Sequence, residues 1–209
     1  MHLTTESFEQ GGPIPGRLAF AKPHPEDHVT LAGNRNPHLA WSDVPDATKS
    51  FALICHDYDV PSSGEDVNQA DREVPADLPR VDFFHWVAVD LPPHLREIEE
   101  GSFADGVVPG GQQVADGPHG SRQGLNDFTG WFSGDPDMGG NYYGYDGPAP
   151  PWNDSIVHHY VFTLYALDVA TVDVGGDFTG HDVRGAIEGH VLAQASFEGT
   201  YTQNPRLLG

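Results

Sequence analysis

The run from Gly147 to Asp168, GPAPPWNDSIVHHYVFTLYALD, carries side chains with the chemistry to hold a small anion. It opens on a loop with prolines at 148, 150 and 151, and continues into a strand-like stretch, Val157 to Leu167, that bears His158 and Tyr160 at its start. Three prolines in four positions fit neither a helix nor a central strand, because each fixes φ and lacks an N–H, so the loop is stiff before any ligand arrives. Two other stretches end in similar groups: Asp57 and Asp59 follow the apolar run Ser50 to His56, and His85 lies in FFHWVAVDL. Imidazole N–H groups and a phenol donate well to an oxyanion. A carboxylate such as Asp57 can accept from one imidazole nitrogen, fix the tautomer and favour imidazolium, leaving the other nitrogen for a ligand.

The elements that must position these groups are strands. Alternation puts His158, Tyr160 and Phe162 on one face and His159 and Val161 on the other. By the same rule Asp57 shares a face with Asp59, and His85 shares one with Val87 and Val89, opposite Phe84 and Trp86. Polar strand ends that converge would form a small polar cup over an apolar floor. Arg17 to Ala21 and His38 to Trp41 read as further short strands, with a polar loop between them. Residues 62–82 read as an exposed acidic loop, and Gly101 to Asp146 as a long Gly- and aromatic-rich segment. Thr179 to Ala195 has roughly helical apolar spacing, weakened by Gly185 and Gly189, and Ser196 to Thr202 alternates as a final strand. Many strands and one late helix, without strand–helix alternation, imply an all-β antiparallel Greek-key sandwich of two sheets with one or two short C-terminal helices and long loops.

Composition narrows the partners. The chain has 209 residues, enough for a real core in a single domain spanning 1–209, with insertions at about 62–82 and 101–146. Asp plus Glu number 31 against 10 Lys plus Arg, a formal net charge of −21, which opposes binding to nucleic acid or an anionic membrane. Aromatic content of 11% separates the chain from acidic disordered sequences. The excess instead implies a solvated acidic shell of the kind halophilic proteins use, against the alternative of an ordinary acidic mesophile protein. Cys55 is the single cysteine and sits in an apolar run, which excludes an intrachain disulfide and a Cys-based zinc site. The first 16 residues lack the basic and apolar regions of a secretory signal, and no window is long and apolar enough to span a bilayer, so a cytoplasmic location without stable membrane insertion is expected.

HDYDVP, FFHWVAVDLP, GYDGPAPP and HHYVFTLYALD, in that order, resemble the conserved stretches of the phosphatidylethanolamine-binding protein family. Asn126 to Phe128 and Gly189 to Tyr201 resemble its bacterial and archaeal branch. The resemblance runs from about Ser50 to Tyr201 and implies a single-domain antiparallel sandwich with a pocket for phosphate-like groups and phospholipid headgroups. It implies ligand-binding roles for Asp57, Asp59, Pro61, His85, Gly147, Ala149, Pro150, Pro151, His158 and Tyr160. Tyr58 stands where the family has a proline, Ala149 where its loop has a second glycine, and His159 where it has an arginine. The kinase inhibition and flowering regulation of eukaryotic branches are not carried over.

The reading is therefore a non-enzymatic protein that takes a small anionic ligand: phosphate, a phosphorylated headgroup or a carboxylate. No cofactor or metal is expected. The His and Asp residues include metal-ligand types, but no metal-binding spacing occurs, and the run from Asp57 lacks the ligand and glycine a calcium loop needs. One alternative is a hydrolase using His/Asp acid–base chemistry in the same pocket, although Gly120 to Gly124 is not a nucleophile elbow. Another is a protein-interaction module with a vestigial pocket, working through the aromatic segment from Phe128 to Tyr145. Homodimerisation is left open. If the acidic shell is halophilic, thermal unfolding will shift to higher temperature as KCl is raised; a melting temperature that falls with salt would contradict it.

Overall fold

The computed structural model describes residues 1–208. The N-terminal part supplies β1 (His2–Thr4), a hairpin of β2 (Ala21–His24) and β3 (His28–Leu31), and β4 (Leu39–Ser42). Two long central strands follow, β5 (Ser50–Pro61) and β6 (Arg80–Leu91), then short β7 (Glu97–Ile98) and β8 (Arg122–Gln123). After the four-residue helix α1 (Phe128–Trp131) come β9 (His158–Leu167), helix α2 (Gly180–Ala186) and β10 (Val191–Tyr201).

The main sheet has the order β10-β9-β5-β6-β8, and a smaller sheet the order β1-β4-β7; all pairings within them are antiparallel. The two sheets close on one core. Leu3, Leu39, Trp41 and Ile98 from the small sheet meet Phe51, Leu53, Trp86 and Phe162 from the large one. The outer face of the large sheet carries a second core in which Ile54, Phe84, Val87 and Val89 are covered by Val183 and Ile187 at and just beyond α2. Burial on both faces explains why β5 and β6 read as continuous apolar runs rather than as alternating ones.

Several local expectations are corrected. Of the region Arg17 to Ala21, Arg17 to Phe20 forms turns and bends and only Ala21 is strand; the strands lie in the stretch read as loop, where Ala21 to His24 pairs with His28 to Leu31. Strand β5 extends beyond the apolar run Ser50 to His56 and through Asp57 to Pro61, because Val60 and Pro61 still pair with Val81 and Arg80. The helix expected over Thr179 to Ala195 stops at Ala186, and Val191 onwards pairs with β9. Gly189, at φ 82°, adopts a left-handed backbone that turns the chain from helix to strand. The start agrees: Thr179 accepts from the Asp182 N–H, and Asp182 accepts from the Thr179 N–H, a reciprocal cap. Among the described residues no helix is long and apolar enough to cross a membrane.

Candidate functional site

A cavity of about 350 Å³ opens at one end of the large sheet, where β5, β6 and β9 place Asp57, His85, His158 and Tyr160 together. Pairing explains the convergence: Asp57 stands opposite Tyr160 on one side and Phe83 on the other. His85 arrives by a different route from plain alternation. Cys55 pairs with Trp86 and His56 with Phe84, so His85 is an extra residue with no partner, a β-bulge. The bulge re-aims His85 to the side of Tyr160, with ring centroids 5.1 Å apart, while Phe84 and Val87 fill the opposite core. The expectation that His85 shares a face with Val87 and Val89 is thus corrected.

His158 is fully buried and both of its ring nitrogens are engaged. Nδ1–H donates to Asp57 Oδ2 at 2.7 Å and Nε2–H to Asp154 Oδ2 at 3.0 Å. Two donating nitrogens require imidazolium. Burial alone would lower its pKa, but the charge of Asp57 and hydrogen bonds to both carboxylates raise it to about 9. Arg80 completes the chain with a two-pronged contact to Asp154, at 2.7 and 3.1 Å. Burial works against the Asp154 charge, yet His158 and Arg80 hold its pKa below the ordinary value. The expectation that one His158 nitrogen stays free for a ligand does not hold, because Asp154 occupies it.

His85 has the opposite character. Its Nδ1–H donates to the Asp146 carbonyl at 2.8 Å, the only hydrogen bond the ring makes among the described residues. Burial pulls its pKa down to about 4, against the opposing pull of Asp57 and of the Asp146 and Gly147 carbonyls. The ring is therefore neutral near pH 7 and Nε2 carries a lone pair, an acceptor and not a donor. Tyr160 sits beside it with a buried hydroxyl that has no hydrogen-bond partner among the described residues. Burial first, and then the Asp57 charge, push that phenol well above its ordinary range, so it stays a donor.

The stiff loop is held by its neighbours. The Pro148 carbonyl accepts from the N–H groups of Phe20 and Ala21, and the Gly147 N–H donates to Asn34 Oδ1. A Cβ on Gly147 would stand 2.0 Å from the Leu18 carbonyl oxygen, so only glycine fits there. Asp146 anchors the whole assembly. Its carboxylate accepts from the side-chain amides of Asn34 at 2.7 Å and Asn126 at 2.8 Å. With no cation beside it, burial raises this carboxyl to about 7 even though both amides lower it. Ala149, Pro150 and Pro151 line the cavity, and the Ala149 N–H has no acceptor among the described residues.

Of the residues anticipated for the site, Asp57, Pro61, His85, Ala149, Pro150, Pro151, His158 and Tyr160 line the cavity. Gly147 and Asp59 do not. The Gly147 backbone serves the loop, and the Asp59 carboxylate accepts from the backbone N–H and Nδ1 of His159, which stacks on Tyr58 at 5.4 Å. A second shift in the β5–β6 register, between Asp57 and Val60, separates the two aspartates that alternation would keep on one face. Sequence reasoning missed Asp154 and Gln203, a cavity-lining residue whose buried Oε1 is unpaired among the described residues. Among the described residues no group of three or more His, Cys, Asp or Glu side chains is arranged to hold a metal ion.

Comparison with known proteins agrees with this architecture. Residues 4–202 match the family model described as phosphatidylethanolamine-binding protein. A UPF0098 protein of Methanothermobacter thermautotrophicus is 35% identical, over 96% of this chain and 98% of its own. UPF0098 protein YbhB of Escherichia coli is 31% identical, over 97% of this chain and all of its own. The crystal structure of E. coli YbcL, described as a new member of the mammalian PEBP family, superposes with a TM-score of 0.68 at 25% identity, covering 96% of this chain and 97% of that one.

The His158 charge predicts a specific pH effect. A folded-state pKa raised from 6.5 to about 9 stabilises the fold fully below about pH 6.5, and that stabilisation is lost as pH rises through 9. His158→Gln will destabilise the protein by about 3–5 kcal/mol near pH 6, as removal of one partner from a buried ion pair does. In denaturant titrations the gap between the two proteins will narrow towards pH 9.5. A gap that is constant with pH would show that His158 is not charged.

Proposed function

This chain belongs to the phosphatidylethanolamine-binding protein family, and on that premise we propose that it is a non-enzymatic binding protein for small ligands with an acidic headgroup. The headgroup is a phosphate, a phosphorylated headgroup or a carboxylate, bound together with one proton that sits on the ligand or on His85.

The observation that carries this reading is the unpaired set of polar atoms at the cavity floor and wall. Among the described residues Tyr160 O–H is a buried donor without an acceptor and Gln203 Oε1 a buried acceptor without a donor, and His85 Nε2 and the Ala149 N–H of the same lining residues also lack a protein partner. Buried polar groups are nearly always satisfied, so a set left open around a cavity suits an occupant. A fully ionised phosphate offers only acceptors, and would face the His85 lone pair with another. A monoester carrying one P–OH supplies both: its hydroxyl donates to His85 Nε2 while its other oxygens accept from Tyr160 and Ala149. Proton uptake by His85 on binding gives the same balance. In both cases one proton enters with the ligand.

Binding is favoured over catalysis by the identity of the lining. Among the described residues no Ser, Thr, Cys or Lys lines the cavity, and both Asp57 oxygens are already hydrogen-bonded, one to His158 and one to the Asp59 N–H. Cys55 is fully buried, and burial raises its thiol well above the ordinary value. Phosphatase or esterase turnover that disappears in His85→Ala would overturn the non-enzymatic reading.

Calorimetric titration with phosphorylethanolamine tests the headgroup assignment. One-proton coupling, with the second phosphate pKa near 6, predicts affinity falling by about tenfold per pH unit above about pH 6. Affinity independent of pH between 6 and 8 would contradict it. Tyr160→Phe will weaken binding by about tenfold or more, the value of a hydrogen bond to a charged group.

A further inference from the structure

Beyond the polar floor, one wall of the cavity is mostly aromatic, and Val29, Leu31, Val60 and Val67 are among the aliphatic residues that complete the lining. Phe20, Phe83, Phe128, Trp131, Phe132 and Met138 form that wall. Phe20 stacks on Phe128 at 4.5 Å and 18°, and Phe128 on Phe132 at 5.7 Å and 14°, while Phe20 and Phe132 are tilted by 32° at 5.9 Å, so the three rings form one close cluster centred on Phe128. The wall begins directly at the headgroup site: the His85 ring centroid lies 4.9 Å from that of Phe83 and 5.5 Å from that of Phe128.

This wall is fixed in place by the same residues that fix His85. Asp127 receives the Phe84 N–H at 2.7 Å and donates its own N–H to the Phe84 carbonyl at 2.9 Å. Asn126 donates to Asp146 and accepts from the Phe128 N–H. The triplet Asn126 to Phe128 therefore sets Phe128 in register with β6, and α1 carries Trp131 and Phe132 beyond it. The rings are preorganised and lose little freedom when a ligand binds.

Volume points the same way. A cavity of about 350 Å³ has room for about a dozen waters at about 30 Å³ each, several times the bulk of an acidic headgroup. Among the described residues its charged lining side chains are Asp57 and His158, paired with each other at the floor, and no Lys, Arg or Glu lines the rest. We propose that the ligand is an acid carried directly on a flat apolar ring, an aryl phosphate or aryl carboxylate, with the acid on His85 and Tyr160 and the ring on the Phe20–Phe128–Phe132 wall. This inference rests on the headgroup reading above and adds the class of group attached to it.

Two probes with the same phosphate separate the claims: phenyl phosphate and phosphorylethanolamine, titrated at pH 6 in high KCl. Phenyl phosphate will bind at least tenfold more tightly. Phe132→Ala will weaken phenyl phosphate by about tenfold and leave phosphorylethanolamine within twofold. Trp131→Ala, at a position 52% exposed and so less important for folding, will act in the same direction. If phosphorylethanolamine binds as well or better, with Tyr160→Phe still weakening it, the ring assignment is overturned and the headgroup reading stands. If neither probe binds, both fall. If the wall variants weaken both probes equally, the wall supports the fold rather than the ligand, and the ring assignment is again overturned.

Discussion

The buried chain Asp57–His158–Asp154–Arg80 is the constraint on which the rest of the site depends. Two carboxylates and two cations sum to zero, and every link is a charge-assisted hydrogen bond of 2.7 to 3.1 Å. An isolated carboxylate at the position of Asp57 would be costly to bury; beside imidazolium it is stable. The chain crosses the fold, from β5 to β9, to the loop before β9, and to the first residue of β6. It therefore fixes the strand ends that form the cavity floor. It also settles which imidazole does what. His158 is committed to structure, so the ring nitrogen left without a protein partner among the described residues belongs to His85, kept neutral by burial and by the lack of a paired carboxylate.

A second node fixes the walls. The Asp146 carboxylate draws in Asn34 from the segment after β3 and Asn126 from the segment before α1. Its backbone meanwhile pairs with His85, donating N–H to the His85 carbonyl and accepting from the ring. One residue thus ties the stiff proline loop, the aromatic wall and the bulged histidine together. Neutral amide donors leave the carboxyl poised near neutrality, unlike Asp154, which has two cations. The two buried carboxylates differ because their neighbours differ.

Much of this was legible in the sequence, and the reasons for the rest are specific. The apolar runs of β5, β6 and β9 announced strands, and the ordered motifs pointed to the family. Alternation placed Tyr160 and His158 together correctly, because β9 pairs with β5 without a register shift. It failed for His85 and Asp59, because a bulge exists only in relation to a partner strand, and one chain read alone does not show the partner's register. The helix read over Thr179 to Ala195 was half right for a similar reason: the apolar spacing of 191–193 is satisfied by pairing with β9. Asp154 carried no signal, since Arg80 lies 74 residues away and the contact with His158, four residues on, depends on the irregular turn that leads into β9. The aromatic segment announced buried area but not its position over the cavity, which depends on Asn126 and Asp127 reaching β6 and Asp146.

The division of labour between the two histidines is open to direct observation by nitrogen-15 spectroscopy of the imidazole rings. At pH 7 without ligand, His158 will show both ring nitrogens protonated, and His85 will show the neutral form with its proton on Nδ1. On addition of phosphorylethanolamine the Nε2 resonance of His85 will move and the His158 pair will stay in place. A His158 signal that shifts while His85 is unchanged, or a His85 ring already charged in the free protein, would contradict the assignment.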